Sequence, residues 1–360
     1  MLLNIGLIVG GFVVLVFGAD WLVKGASRMA LSLGMTPLVV GLTVVAFGTS
    51  APELAVSVAS AWSGQADLAV GNVVGSNIAN VLLILGLSAL VAPLVVNQQL
   101  VRLDVPIMLG ASVLFYVLCL DGNISLWDSL LLAGGIVAYV VFLIRESRRE
   151  KSDLVLAQYE EAVEAGGTLW GDLLWIAAGL VGLVAGAQLL VEGAVSLARH
   201  FGVSELMIGL TVLAVGTSLP ELATSVVAAL RGERDIAVGN VVGSNIFNLL
   251  SVIGFTGLVS LGQLPVAPAA MALDIPVMLG VALLCVPIFR SGFVVTRTNG
   301  ALFILCYLAY LVWLISSSTG PAPEWLPPLL LGGLMPLAVV FTLVSFVLSV
   351  SNEKSGGADH

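Results

Sequence analysis

Charged side chains are scarce in this chain of 360 residues. Asp, Glu, Lys and Arg make up 10% of it, whereas 59% is hydrophobic and the mean hydropathy is +1.11. A soluble domain usually has roughly 25% charged residues. Apolar stretches of about 20 residues recur along the whole length, which is typical of a helical membrane protein with many spans. The alternating segments of about ten residues that a transmembrane barrel needs are not seen.

Cysteine and histidine are rare too. Three isolated cysteines, all within predicted spans, form neither a disulfide framework nor a metal-binding spacing, so we interpret them as small apolar core residues. The sequence has no HExxH zinc motif, no Asp-rich diphosphate motif and no basic patch. We therefore expect neither an enzyme nor a nucleic-acid binder, and we expect no bound cofactor and no obligatory protein partner.

Eleven spans are predicted along the chain. They lie at residues 3–23, 36–62, 67–92, 103–120, 126–144, 170–197, 204–230, 235–260, 272–289, 300–317 and 326–350. The first lacks a basic leader and a cleavage site, so it should remain as a span. The polar segment 145–169 separates a first half (1–144) from a second half (170–318), each with five spans. The eleventh span lies in the last segment, 319–360.

The distribution of basic residues predicts the orientation of the spans. If the linker 145–169 is cytoplasmic, twelve of the thirteen Lys and Arg residues lie on the cytoplasmic side and only Arg199 lies outside. This asymmetry follows the positive-inside rule. We expect a multi-pass protein of the inner cell membrane, with the N-terminus outside and the C-terminus in the cytoplasm.

The two halves contain one motif twice. Residues 41–80 and 209–248 align without a gap at an offset of 168 and are identical at 28 of 40 positions. Because each half has an odd number of spans, the two copies have opposite orientations in the membrane. Inverted repeats with helices interrupted by glycine and proline are typical of secondary transporters, whose site lies near the bilayer midplane. A shorter match pairs DVPIMLG at 104–110 with DIPVMLG at 274–280.

The first part of the motif is GTSAPE at 48–53 and GTSLPE at 216–221. A lone proline in a membrane helix usually marks only a kink. Here each proline also leaves a carbonyl one turn earlier without its helical partner, and at membrane depth protein or a cavity must satisfy that carbonyl. Helical spacing brings hydroxyls, a carboxylate and this carbonyl to one face. Glu53 and Glu221 have no basic partner within these spans, which indicates a functional role.

The second part is GNVVGSNIAN at 71–80 and GNVVGSNIFN at 239–248. Polar residues four apart line one helix face in each copy; they are Asn72, Ser76 and Asn80, then Asn240, Ser244 and Asn248. Four asparagines can belong to the site or simply join helices; they are Asn72, Asn77, Asn240 and Asn245. All these groups offer oxygen, the ligand that Ca²⁺ and Na⁺ prefer. The negative charges of the two glutamates balance the charge of one Ca²⁺ or two Na⁺.

Other ionisable residues in the spans have simpler interpretations. Asp20 lies four residues before Lys24 and can pair with it. Asp104 and Asp274 each lie two residues before a proline, which is typical of the start of a helix. These residues are not predicted to bind the transported ions.

The repeated motifs resemble the alpha repeats of the calcium/cation antiporter superfamily, and specifically the prokaryotic type of the sodium/calcium exchanger family. The resemblance covers the first ten spans. It implies an all-α membrane protein with a ten-helix core of two inverted five-helix repeats, with the eleventh span outside this core. It also implies alternating access, in which the first and sixth helices slide over the others. The cation ligands implied by position are Ala46 (backbone), Thr49, Ser50, Glu53, Ser76, Asn80, Ala214 (backbone), Thr217, Ser218, Glu221, Ser244 and Asn248.

The function implied by the resemblance is secondary active antiport of Na⁺ and Ca²⁺ across a lipid bilayer. Some family members carry Asp at the position of Asn248, and its replacement by an amide leaves Na⁺, H⁺ or K⁺ open as the coupling ion. A Ca²⁺ antiporter driven by H⁺ through the same site is the first alternative. A cation channel is the second, although the chain has no pore-loop filter sequence.

Overall fold

The computed structural model describes residues 2–149, 168–201 and 214–319. As predicted, almost all of the regular structure is helical. The elements are α1 (Leu2–Leu33), α2 (Pro37–Thr49), α3 (Ala51–Trp62), α4 (Leu68–Val91), β1 (Leu94–Val95), α5 (Leu100–Leu118), β2 (Asn123–Ile124), α6 (Leu126–Arg149), α7 (Leu169–His200), α8 (Ala214–Gly216), α9 (Leu219–Leu230), α10 (Arg234–Val259), β3 (Leu264–Pro265), α11 (Ala270–Arg290), β4 (Val294–Val295) and α12 (Arg297–Thr319).

Eight helices within the described residues are long and apolar enough to cross a membrane. Together α2 and α3 form a ninth span that is bent by 41°. The elements α8 and α9 belong to the predicted seventh span, the first residues of which lie outside the described ranges. Most of the predicted linker 145–169 and the predicted eleventh span also lie outside them.

The first and sixth predicted spans are longer than expected. Both α1 and α7 have 32 residues, and α1 runs ten residues past the predicted end at 23. The prediction ended this span at the charge of Lys24, but a charge at the membrane surface does not end a helix. Gly34 ends it, with φ of 63°, and the Met35 N–H donates to the Ala30 carbonyl at 2.8 Å. This left-handed cap is a common way for a helix to end.

The two motif helices α4 and α10 form the centre of the molecule. Within its most apolar 18 residues, α10 is 100% buried and α4 is 78% buried, whereas α1 is 22% buried and α7 is 28% buried. The long helices α1 and α7 therefore lie at the periphery, where they pack against each other along their length. Polar residues in α4 and α10 are shielded from lipid by the surrounding helices.

Two short strand pairs, which the sequence did not predict, join the two halves. Strand β1 pairs antiparallel with β4, and β2 pairs antiparallel with β3, each over two residues. Each pair takes one strand from each half, so the loops of the inverted repeats also meet. The predicted apolar role of the cysteines is confirmed, since Cys119, Cys285 and Cys306 are free and buried.

Candidate cation site

Both repeats interrupt a helix immediately before their glutamate. Ser50, with φ −80° and ψ 3°, separates α2 from α3, and Ser218, with φ −88° and ψ 6°, precedes α9. Each proline lies in the first turn of the new helix, where its missing N–H costs nothing. The break therefore replaces the continuous kinked helix that the sequence suggested. It puts Glu53 and Glu221 in the first turn, where the helix dipole favours a carboxylate.

The serine at each break contacts the glutamate of the other repeat. The Ser50 hydroxyl donates to Glu221 Oε1 at 3.1 Å, and the Ser218 hydroxyl donates to Glu53 Oε1 at 3.3 Å. Both carboxylates are 1% exposed. These two hydrogen bonds between the repeats bring the two predicted acids into one buried cluster. Ser76 joins the cluster, since its oxygen lies 3.3 Å from that of Ser218.

The first asparagine of each second motif fixes the helices within its own repeat. The side chain of Asn72 donates to Ser57 Oγ at 3.1 Å and to the Glu53 carbonyl at 3.4 Å. Asn240 repeats both contacts with Ser225 and Glu221, at 2.9 and 3.3 Å. These two asparagines therefore join the acid-bearing helix to α4 or to α10.

The last asparagine of each motif begins a stretch of π-helix. The π-turns run from Asn80 to Leu85 in α4 and from Asn248 to Val252 in α10. Such turns occur often at functional sites because they redirect side chains within a helix. Here they accompany two fully buried amides, which are 1% and 0% exposed.

Several buried oxygen atoms of the predicted site have no hydrogen-bond partner among the described residues. They are Oε2 of Glu53 and Glu221, Oδ1 of Asn80 and Asn248, Oγ1 of Thr217 and Oγ of Ser244. Leaving buried polar atoms without partners is costly, and unpaired buried carboxylates cost most. Bound cations are the natural partners of such oxygen atoms. The chemistry of the group fits Ca²⁺ or Na⁺, which take oxygen ligands.

The remaining predicted ligands lie at the same breaks. The Ala46 carbonyl accepts the Ser50 N–H at 3.0 Å, and the Thr49 hydroxyl lies 3.4 Å from the same carbonyl and 3.0 Å from Asn240 Oδ1. Ala214 begins α8, where only its backbone is described. All twelve predicted positions therefore lie on α2–α4 and α8–α10 or at their breaks.

Among the described residues, no group of three His, Cys, Asp or Glu side chains could hold a metal.

Sequence reasoning missed a matching pair of contacts, one in each repeat, of which the first is buried and the second partly buried. The hydroxyl of Tyr139 donates to Asp104 at 3.1 Å, and that of Tyr310 donates to Asp274 at 2.9 Å. The expected helix-start role is incomplete, because each aspartate ends a π-turn and also accepts a tyrosine hydrogen bond. The repeated DVPIMLG and DIPVMLG segments were the available signal, but they do not reveal the tyrosines.

The two halves differ at the approaches to the site. A cavity of about 310 Å³ separates α3 from α7, and its walls include Val56, Glu192 and Thr217. Val56 is 43% exposed, whereas its repeat equivalent, Thr224 on α9, is 0% exposed. The surface beside α3 is therefore accessible, whereas the equivalent place on α9 is covered.

The long helix α1 covers the closed approach, where it packs against α9. An ion pair joins Asp20 of α1 to Arg231 at the end of α9. The predicted partner of Asp20, Lys24, instead lies over the ring of Trp175, 5.2 Å from its centre. In the other repeat the positions equivalent to Asp20 and Arg231 are Gln188 and Ser63, which cannot form an ion pair.

Known proteins are similar to the chain over the whole region that contains this site. The family model described as sodium/calcium exchanger protein matches residues 3–145 and 172–316. The inner membrane protein YrbG of Escherichia coli (strain K12) is 40% identical over 324 residues, which are 87% of this chain and 98% of that protein. The sodium/calcium exchanger MaX1 of Methanosarcina acetivorans is 34% identical over 338 residues, covering 84% and 95%.

A solved structure is similar as well. The sodium/calcium exchanger from Methanococcus jannaschii has a TM-score of 0.72 at 29% identity, and the match covers 86% of this chain and 98% of that one. The family match ends at residue 316, so the predicted eleventh span lies beyond it.

Proposed function

Because the chain belongs to the sodium/calcium exchanger family, we propose that it is a secondary active antiporter that exchanges Na⁺ for Ca²⁺ at the cluster around Glu53 and Glu221. The observation that carries this proposal is the set of buried oxygen atoms without partners, which includes one oxygen of each carboxylate. No Lys, Arg or His lies between residues 41 and 80, and in 209–248 only Arg231 and Arg234 are basic. A cation is therefore the natural partner for the two carboxylates.

Exchange follows from competition for one set of ligands. One Ca²⁺ or two Na⁺ neutralise Glu53 and Glu221, and both kinds of ion need the same oxygens. Moving uncompensated carboxylates through a low-dielectric core is costly, so the empty site resists the change between its two open states. Occupied sites carry little net charge and can change state. Antiport by alternating access is the result.

The proposed orientation places the protein in the inner cell membrane, with the N-terminus outside and both the linker 145–169 and the C-terminus in the cytoplasm. Its support is the location of twelve of the thirteen basic residues on one side, together with the similarity to YrbG, which is named an inner membrane protein. Each half of the exchanger, 1–144 and 170–318, then supplies one glutamate to a shared site. Segment 319–360 is additional to these halves.

A Ca²⁺ antiporter driven by H⁺ is the second candidate. The observation in its favour is that the described site contains two carboxylates and an amide at Asn248, so two protons, one on Glu53 and one on Glu221, balance the same charge as one Ca²⁺. Reconstituted vesicles separate the two candidates. Ca²⁺ uptake driven by a Na⁺ gradient at clamped pH supports Na⁺ coupling, whereas uptake that follows only an imposed pH gradient supports H⁺ coupling.

The site itself is tested by Glu53→Gln and Glu221→Gln. Each change keeps the shape of the side chain and removes one of two charges, so we expect Ca²⁺ exchange in loaded vesicles to be abolished. Glu146→Gln, which makes the same chemical change at the far end of α6, is the matched control and should exchange normally. Full exchange by either site variant would show that the ions bind elsewhere.

A further inference from the structure

We propose that Asn77 and Asn245 are positioning residues, which fix the amides of Asn248 and Asn80 so that each presents its carbonyl oxygen to the transported cation. This inference rests on the proposed function, because it assumes that the cation binds at this cluster. It assigns a role to two residues for which the sequence left the choice between ion binding and helix packing open.

The four asparagines are bonded crosswise between the repeats. Asn248 Nδ2 donates to Asn77 Oδ1 at 3.1 Å, and Asn80 Nδ2 donates to Asn245 Oδ1 at 3.0 Å. Asn77 and Asn245 are 2% and 3% exposed, so water does not compete for these bonds. Each amide of one repeat is thus held by the other repeat.

The direction of the bond to Asn248 is fixed by a backbone group. Asn77 Nδ2 donates to the backbone carbonyl of Asn245 at 3.2 Å, and a carbonyl can only accept. Asn77 must therefore turn its own oxygen towards Asn248. Only the NH₂ group of Asn248 can face that oxygen, which leaves Asn248 Oδ1 pointing away from the bond.

Two methionines favour the same orientation of the asparagine side-chain amide in both repeats. Asn77 Nδ2 lies 3.8 Å from the sulfur of Met278, and Asn245 Nδ2 lies 3.6 Å from the sulfur of Met108. A thioether is a weak acceptor and never a donor, so it favours an NH₂ group beside it. Met108 and Met278 occupy equivalent positions in the second repeated motif, DVPIMLG and DIPVMLG. This gives a physical reason for that repeat, which the cation ligands do not explain.

The consequence is a pair of neutral oxygen ligands with a fixed orientation. Oδ1 of Asn80 and Asn248 are buried without a hydrogen-bond partner among the described residues. If the amide of Asn80 or Asn248 turned over, two carbonyl oxygens would face each other and the NH₂ group would face the cation. Groups behind a metal ligand commonly fix its orientation in this way, and their loss typically weakens metal binding about 10- to 100-fold.

The test is a double-mutant cycle on Ca²⁺ affinity, measured by calorimetry on the full-length protein in detergent. The variants are Asn77→Leu, Asn248→Ala and the double variant, with Ser129→Ala as a control that removes a buried hydrogen bond elsewhere. We expect Asn77→Leu to raise Kd about 10- to 100-fold. If Asn77 acts through Asn248, the double variant should bind no more weakly than Asn248→Ala alone.

The outcomes separate this inference from the proposed function. A wild-type protein that binds neither Ca²⁺ nor Na⁺ would contradict the function. Wild-type binding with an unchanged Kd for Asn77→Leu, or with fully additive losses in the double variant, would overturn the positioning role alone. Thermal unfolding identifies variants that do not fold, and if Asn77→Leu is one of them, Asn77→Ser replaces it in the same cycle.

Discussion

At the scale of single residues, the site depends on contacts that cross between the repeats. Ser50 donates to Glu221 and Ser218 donates to Glu53, so each carboxylate is bonded by the hydroxyl from the other half. A hydrogen bond to a charged group contributes about 1.5–3 kcal/mol. Neither half can therefore form its part of the site alone.

Removing one of these hydroxyls should weaken Ca²⁺ binding in a way that a general loss of packing does not. We expect Ser50→Ala and Ser218→Ala each to raise the Ca²⁺ Kd about 10- to 100-fold, which corresponds to the free energy of such a bond. Ser129→Ala is the matched control, because this buried serine is not a predicted ligand and donates to the Ser125 carbonyl four residues earlier. Calorimetry on the three variants gives the comparison. Equal Kd values for Ser50→Ala and Ser129→Ala would contradict the prediction.

Residue spacing predicted which side chains share a helix face, but it did not predict their partners. The spacing of four between Asn72, Ser76 and Asn80 placed them correctly on one polar face of α4, because helical periodicity is a local property. The pairing of Ser50 with Glu221 depends on how two distant segments pack. The direction of the amide in Asn248 depends on a backbone carbonyl of its own helix through Asn77. No periodicity contains that information.

At the scale of helices, the contact between α1 and α7 depends on two equivalent rows of glycine. Gly11, Gly18 and Gly25 recur every seven residues on α1, and each has an equivalent 168 residues later on α7. The helices run antiparallel with their backbones close together. A Cβ added at Gly18 would lie 2.6 Å from the Leu183 nitrogen, and one added at Gly186 would lie 2.5 Å from the Leu15 nitrogen. Small residues permit this approach in membranes.

A single methyl group added at Gly18 should push α1 and α7 apart. We expect Gly18→Ala to destabilise the protein by about 1–3 kcal/mol or more, since backbone cannot move aside as a flexible side chain can. Gly6→Ala on the same helix is the matched control, because Gly6 is exposed and its added Cβ has no described atom within 4 Å. Thermal unfolding in detergent and Ca²⁺ exchange in vesicles test both. A Gly18→Ala protein as stable as Gly6→Ala would contradict close packing.

The sequence predicted the helices better than their limits and contacts. The recurring apolar stretches located the spans, and the repeated proline located the interruption at Ser50 and Ser218. The extension of α1 to Leu33 was missed because hydropathy reports where a helix leaves lipid, not where it ends. The glycines at 18 and 25 were visible in the repeat, yet only the packing of α1 on α7 explains them.

At the scale of the whole molecule, nearly identical motifs adopt unequal arrangements. Thr49 donates to Asn240, whereas the equivalent hydroxyl of Thr217 has no partner among the described residues and lines the cavity beside α7. Thr224 on α9, the helix that packs against α1, is fully buried, while its equivalent Val56 on α3 is exposed. On the proposed topology, the cavity opens to the outside and α1 closes the cytoplasmic approach. If the two repeats exchanged their arrangements, the protein would be open to the cytoplasm and closed to the outside.

The ion pair between Asp20 and Arg231 should favour the state that is closed towards the cytoplasm. It joins α1 to α9, and the other repeat cannot form it. Both side chains are partly exposed, at 32% and 41%, so the pair contributes only about 0.2–1 kcal/mol, which corresponds to a roughly 1.4- to fivefold change in population. We therefore expect Asp20→Asn to increase the population of the cytoplasm-open state by that factor.

Thr224→Cys provides the measurement, in a protein whose three buried cysteines are replaced by alanine. A membrane-impermeant thiol reagent applied from the cytoplasmic side reaches position 224 only when α1 leaves α9, so its labelling rate reports that population. Asp20→Asn should raise the rate about 1.4- to fivefold, and combining Asp20→Arg with Arg231→Asp should restore the original rate. Asp121→Asn, an exposed acid in another loop, should leave it unchanged. If Asp20→Asn and the parent protein were labelled at equal rates, α1 would be held on α9 by its apolar contacts alone.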